Sequence, residues 1–391
     1  MPIYLDYAAT SPLRPEVLAA YTAALPLVGN PSSIHGQGQA ARELLEQGRD
    51  RVAASLGADG VEVVLTGGGT EAVNLGIKGL FWASKRTRIL VPQAEHHATI
   101  DSVEWLAAHE GAVLDWIEVD ELGRIRLEAL EAALAIGGDD VALVTALWAN
   151  NEVGTIQPVA EIVAAATRYG VPVHLDAIAA YGSLPVDFSA CGAAALSVSA
   201  HKIGGPVGVG ALLLARSAKV EPLLHGGNQQ RGRSGTQDAA GASAFGVAAE
   251  LAVAHLAENA AQLATLRDRL IAGVERIPGA ILRGDSDPVG RLPGNAHFSF
   301  AGCEGDSLLF LLDVAGFSVS TGSACQAGVP EASHVLLAMG LSEQDARGAL
   351  RFTLGHDSTA SEIDALIGAL PGVVERARSA GLAERLPTLG R

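Results

Sequence analysis

Seven short apolar runs, separated by stretches with helical periodicity, constrain this chain more than any other feature in it. They lie at residues 61–65, 88–91, 113–119, 141–148, 171–175, 196–199 and 210–214. A strand with one wet face alternates apolar and polar residues, and these runs do not. Strands that are apolar on both sides and alternate with helices predict an α/β fold, built on a mainly parallel central sheet with helices over both faces. Outside that pattern, residues 3–5 read as a short strand, a helix starts at about Pro15, and 29–36 is a loop rich in turn formers. Residues 39–56 and the Ala-rich 239–277 carry helical periodicity. Past Gly279 the strands shorten, as at 295–300, and Gly and Pro become frequent. The organisation expected is a large domain over 15–255 and a smaller α+β domain assembled from 1–14 and 256–391.

A chain of 391 residues with 49% hydrophobic and only 18% charged residues can bury a substantial core and is not a disordered one. Its formal charge of −16, with no basic stripe, argues against nucleic-acid binding and for an acidic enzyme. The three cysteines, Cys191, Cys303 and Cys325, lack C-x-x-C spacing and suggest neither a disulfide framework nor a zinc site. The opening M-P-I-Y-L-D-Y has no basic-then-apolar leader, and no uncharged run is long enough to span a bilayer, so a cytoplasmic protein is expected.

Residues 196–210 read L-S-V-S-A-H-K-I-G-G-P-V-G-V-G, a strand that ends in His201-Lys202 and a glycine-rich turn. Desolvation disfavours an ammonium group there. Such an amine is suited to a Schiff base with a carbonyl, for example that of pyridoxal phosphate. The alternative is a strand cap that points to solvent. Gly67-Gly68-Gly69-Thr70 stands between a strand and a helix, where free N–H groups and the helix dipole favour an anion. Gly67, Gly69 and Ala72 also fit a loose dinucleotide pattern, but no acid follows at the required distance, which disfavours a nicotinamide dehydrogenase.

Asp176 closes the strand V-P-V-H-L-D, at the edge where α/β proteins bind ligands. It suits either a protonated ring nitrogen or a helix N-cap. His96, with His97 beside it, could stack on an aromatic ring and move protons near neutral pH. Asn150-Asn151 offer amide donors in the same layer of strand ends. Cys325 lies in the small-residue run S-T-G-S-A-C-Q-A-G, an accessible polar setting that suits a nucleophile, unlike those of Cys191 and Cys303. Arg351 is a single charge in an apolar run, either snorkelling or binding a carboxylate.

Eight segments in order strengthen these readings: Y-L-D-Y-A-A-T from Tyr4, G-N-P-S-S-I-H from Gly29, G-G-T-E-A-V-N from Gly68, E-H at Glu95, N-N-E-V-G from Asn150, S-A-H-K from Ser199, R-S-G-T from Arg233 and G-S-A-C from Gly322. Over nearly the whole chain they resemble the NifS/IscS-like cysteine desulfurases, pyridoxal-phosphate enzymes of fold type I in the class-V aminotransferase group. The resemblance implies that Lys202 tethers the cofactor, Asp176 pairs with its ring nitrogen, His96 stacks on the ring and transfers protons, and Asn151 binds the phenolic oxygen. Gly69, Thr70, Ser199 and His201 would hold the phosphate, with Thr236 supplied by the second subunit of a homodimer. Arg351, with Asn30 near it, would clamp the carboxylate of L-cysteine. Cys325 would take the sulfur as a persulfide, leave alanine, and pass the sulfur to an acceptor protein, as in iron–sulfur cluster assembly or transfer-RNA thiolation.

The chain also departs from that family. Ala179 stands where a glutamine donor to the cofactor is usual, the segment before R-S-G-T is one residue short, Val207 replaces a common lysine, and the longer scaffold-docking tail of some members is absent. Two further readings stay open at this point: a related lyase or aminotransferase in which Cys325 is incidental, and a non-catalytic partner subunit of the same fold.

Overall fold

The computed structural model describes residues 2–322 and 332–384. Twelve strands in these residues form three sheets: β1 (Ile3–Tyr4), β2 (Val63–Thr66), β3 (Arg88–Pro92), β4 (Val113–Ile117), β5 (Val141–Leu147), β6 (Val173–Asp176), β7 (Ala195–Ser199), β8 (Gly210–Leu214), β9 (Ala280–Arg283), β10 (Asn295–Phe300), β11 (Phe317–Ser318) and β12 (Ala349–Thr353). The largest is seven-stranded, ordered β2-β8-β7-β6-β5-β3-β4. Its β7, β6, β5, β3 and β4 run parallel, while β8 is antiparallel to both β7 and β2. The mainly parallel sheet expected from the sequence is therefore present, with β8 reversed. All seven residues of β5 are buried, as a strand covered on both faces requires.

The two largest bodies of apolar packing follow from this layout, and a smaller cluster joins Ala94, Val119 and Val153 to Val335, Leu336 and Met339 between them. Helices Pro15–Ala24, Gly36–Ser55 and Ala239–Ala254 pack on one another over one face of the large sheet, and Gly69–Ala83 and His97–Glu110 cover the other. A second core gathers Leu5, Leu270, Phe298, Phe300, Leu350 and Phe352 around the three-stranded sheet β12-β10-β9. Tyr4 and Ile3 pair in parallel with β11, so the N-terminal segment joins the second core before the chain enters the first.

The helical region at 239–277 is not one helix. Ala239–Ala254 and Leu256–Val274 meet at a bend of 69° after Ala254. The physical reason is a change of partner: the first helix is buried in the large core, whereas Leu263, Leu266, Leu270 and Val274 belong to the second. No single helix among the described residues is long and apolar enough to cross a membrane.

The edge of the large sheet that matters is the one where β2, β3, β5, β6 and β7 all end. Gly68 makes the turn out of β2 possible, because its φ of 139° is a conformation L side chains rarely adopt. The reversed β8 approaches closely there, and a Cβ on Gly210 would meet the Gly68 carbonyl carbon at 2.6 Å. Glu95-His96, Asn150-Asn151, Asp176 and Ser199–Lys202 then follow β3, β5, β6 and β7 along one crevice.

Candidate active site

A cavity of about 490 Å³ opens at that crevice and is lined by Gly69, Thr70, His96, Asn151, Asp176, His201, Lys202 and Arg351, together with the segment Tyr7–Ala9. The Lys202 side chain ends at two backbone carbonyls, those of Ala8 and of Ala9, the latter at 3.0 Å. Burial, and then the charge of Arg351, push its ammonium down to about 8, while Asp176 and Asp6 pull the other way. An amine with that value is partly neutral near physiological pH and can act as nucleophile or base.

Asp176 is 2% exposed. Its Oδ1 accepts from the Ile178 N–H at 2.9 Å, which turns the chain sharply out of β6. Burial pushes the carboxyl up to about 6, opposed by that N–H and by Lys202. A cationic N–H partner in the cavity would return it to the ionised form. His96 presents its ring to the cavity and caps the following helix, with Nδ1 accepting from Ala98 N at 3.0 Å. That bond leaves Nε2 as the protonated nitrogen of the neutral ring. Desolvation first, then Lys202, His97 and His334, hold the imidazolium down at about 4.

Two further buried groups lie behind this front. Glu95 Oε1 accepts from Leu147 N at 2.8 Å, and burial reinforced by the Asp176 carboxylate pushes the acid up to about 8. His174 bridges Thr145 Oγ1 at 2.9 Å and Ser197 Oγ at 2.8 Å across β5, β6 and β7, and burial lowers it to about 3. Neither is marked by composition alone, although Glu95 precedes the candidate His96 and His174 stands two residues before Asp176 on the same strand face.

The structure brings most of the sequence candidates together and leaves three apart. Ser199 is not in the cavity lining, but its hydroxyl is buried and has no partner among the described residues, and its Cβ lies 3.2 Å from where a Cβ on Gly69 would stand. Asn30 is exposed and absent from the lining, because its Oδ1 turns back to accept from Ser32 N at 2.9 Å. Thr236 is also exposed and outside the lining, at the end of a segment that Arg233 pins to Glu71 through Nε–Oε1 at 2.9 Å. Cys325 lies outside the described residues. The remaining cysteines are a half-buried Cys191 and a buried Cys303, both with thiols pushed up by burial, as inert ones should be.

The class-V aminotransferase family profile matches residues 3–366. This chain belongs to that family. It is 52% identical, over 97% of its own length and 98% of the relative's, to an "IscS-like cysteine desulfurase" of Mycobacterium tuberculosis. It is 39% identical to a "Cysteine desulfurase IscS" of Clostridium botulinum, covering 96% of this chain and 95% of that one. A solved "NifS-like protein" superposes with a TM-score of 0.89 at 32% identity, covering 96% of this chain and all of the other.

Class-V aminotransferases of this kind are pyridoxal-phosphate enzymes, and the residues of this chain fit that cofactor. The cavity offers an amine lowered toward neutrality, a desolvated carboxylate and a helix N-terminus, and behind its lining lies the Ser199 hydroxyl, which has no partner among the described residues. Gly69 keeps that helix start open: a Cβ on it would meet Ile178 Cδ1 at 2.4 Å. Ala179 lines the cavity with a methyl group, so the wall next to Asp176 carries no side-chain amide at that position.

Proposed function

We propose that this class-V aminotransferase is a cysteine desulfurase that converts L-cysteine to L-alanine and takes the sulfur onto Cys325 as a persulfide. The observation that carries this reading is the convergence of Lys202, Asp176, His96 and Arg351 on one cavity. Desulfurase relatives aligned along nearly the full chain support it.

Pyridoxal phosphate supplies, when bound, an electron sink that stabilises negative charge at the substrate Cα. Lys202 would hold it covalently, Asp176 would pair with its ring nitrogen, His96 would lie over the ring, and Asn151 would bind the phenolic oxygen. Gly69, Thr70, Ser199 and His201 would take the phosphate. Arg351, with Asn30 near it, would clamp the substrate carboxylate. Lys202 Nζ is the base suited to remove and return the Cα proton, since its ammonium value of about 8 leaves part of the amine neutral near physiological pH. His96 is placed to donate its Nε2–H as a hydrogen bond to the reacting groups. The Cys325 thiolate would attack the substrate sulfur, and the Cβ–Sγ bond would break with its electron pair left on the carbon fragment. That fragment is protonated to alanine, and the sulfur stays on Cys325.

A homodimer fits the outward-facing Thr236, whose segment is anchored by the Arg233–Glu71 pair. A core drawn from Val17 to Ala252 apart from Leu292, and another drawn from Leu5 and residues 263–377, support a division into residues 15–255 and residues 1–14 with 256–391. A cytoplasmic location and an acceptor protein for the sulfur complete the reading. Incubation of the cofactor-loaded protein with L-cysteine tests it. Alanine should form, and Lys202→Ala should abolish it. Formation of a keto acid instead of alanine would contradict the assignment.

A further inference from the structure

Arg351 is 5% exposed, in the middle of β12 and opposite His297 of β10. A guanidinium so enclosed must be satisfied by neighbours, and the direction of its fork decides what it recognises. Two contacts fix it here. Nη2 donates to Asp6 Oδ1 at 2.9 Å, and Nη1 donates to the Asn151 carbonyl at 3.1 Å. Of five N–H donors, these contacts use one on each terminal nitrogen and leave the other hydrogen of each, besides Nε–H.

Asp6 is itself held by a tied-down backbone. It bridges in parallel to Thr353, Ala8 N donates to Thr353 Oγ1 at 2.9 Å, and the Tyr4 hydroxyl donates to the Asp6 carbonyl at 3.0 Å. The cross-strand neighbour cannot do the same task. His297 is fully buried, and neither ring nitrogen has a partner among the described residues. Burial and the nearby Arg351, Arg291 and Arg283 keep it neutral, and since its only charged form is a cation it offers the guanidinium no counter-charge in either state.

We propose that Asp6 is a positioning residue for substrate recognition, holding the Arg351 guanidinium so that its remaining N–H groups meet the α-carboxylate of the amino acid. This rests on the reading of Arg351 as the carboxylate clamp. Asp6 also competes with the substrate for the same cation. A single contact on Nη2 leaves enough donors for a second carboxylate, so orientation outweighs competition.

The test uses the cofactor-loaded protein and two non-reacting ligands, L-alanine and ethylamine, which differ by the carboxylate. Binding is read from the cofactor absorbance, alongside kcat and KM for L-cysteine. Asp6→Ala should raise the L-alanine Kd and the L-cysteine KM about tenfold, the size of one charge-assisted hydrogen bond, with kcat changed much less and ethylamine binding unchanged. Asp6→Asn, which keeps an oxygen acceptor, should recover most of the loss. If Asp6→Ala does not accumulate as folded protein, Asp6→Glu, which displaces the carboxylate but keeps its charge, should show the same carboxylate-selective loss. Equal effects on both ligands, or an unchanged L-cysteine KM, would overturn the role of Asp6. Arg351→Ala serves as reference: if it leaves L-alanine binding intact, the clamp reading itself falls.

Discussion

His96 Nδ1 accepts a hydrogen bond from the Ala98 N–H at 3.0 Å, so the ring that faces the cavity also begins the helix His97–Glu110. Structural and chemical roles of one side chain can therefore be separated by substitution. Asparagine caps a helix well and has no ring, whereas alanine does neither. His96→Asn should melt close to the parent protein, and His96→Ala should lose about 1 kcal/mol more. Both should lose turnover of L-cysteine by about a hundredfold, the usual weight of a general acid–base group. Near-normal turnover in His96→Asn would reduce this histidine to a cap.

The lowered ammonium value of Lys202 has a direct kinetic consequence. An amine attacks an aldehyde only when unprotonated, and below its pKa each unit of pH lowers the neutral fraction about tenfold. The rate at which cofactor-free protein takes up pyridoxal phosphate should rise with pH and level off near 8, the value set by burial and Arg351. An ordinary lysine would keep rising toward 10.5. A rate still climbing well above pH 8 would show that Arg351 and burial do not tune this amine.

Glu95 makes the protein less stable as pH rises from 4.5 to about 8. Its carboxyl sits at about 8 in the folded chain against 4.5 when free, because burial and Asp176 disfavour the charge. Between those values the native state holds a proton that the unfolded chain has released, so stability must fall as pH rises. His174 and His297, lowered to about 3, act in the opposite sense: their contribution is lost as pH falls from about 6.5. Denaturation midpoints of Glu95→Gln should lose the decline toward pH 8 and keep the acid-side decline. An unchanged decline between pH 4.5 and 8 in the variant would place the titrating group elsewhere.

The sequence makes Lys202, Asp176 and Arg351 visible because each is a charge at the end of, or within, an apolar run, where desolvation demands a purpose. It makes the sheet visible because strands buried on both faces leave continuous apolar runs. Contacts made at long range are different. Asp6 meets Arg351 across 345 residues, and Glu95 gains its character only from the strands stacked around it. The local turn in which Asn30 Oδ1 accepts from Ser32 N is likewise seen only in the folded chain. The break between Ala254 and Leu256 escapes periodicity because both helices are rich in small and apolar residues, and only the change of core bends them.

The central claim is that a thiol of this chain receives the sulfur removed from L-cysteine. Mass spectrometry of the Cys325 peptide, after incubation of the cofactor-loaded protein with L-cysteine, measures it directly. The peptide should carry one added sulfur, and Cys325→Ser should show neither the adduct nor alanine formation above background. Alanine formed at the parent rate by Cys325→Ser, with no sulfur on the parent peptide, would contradict the claim.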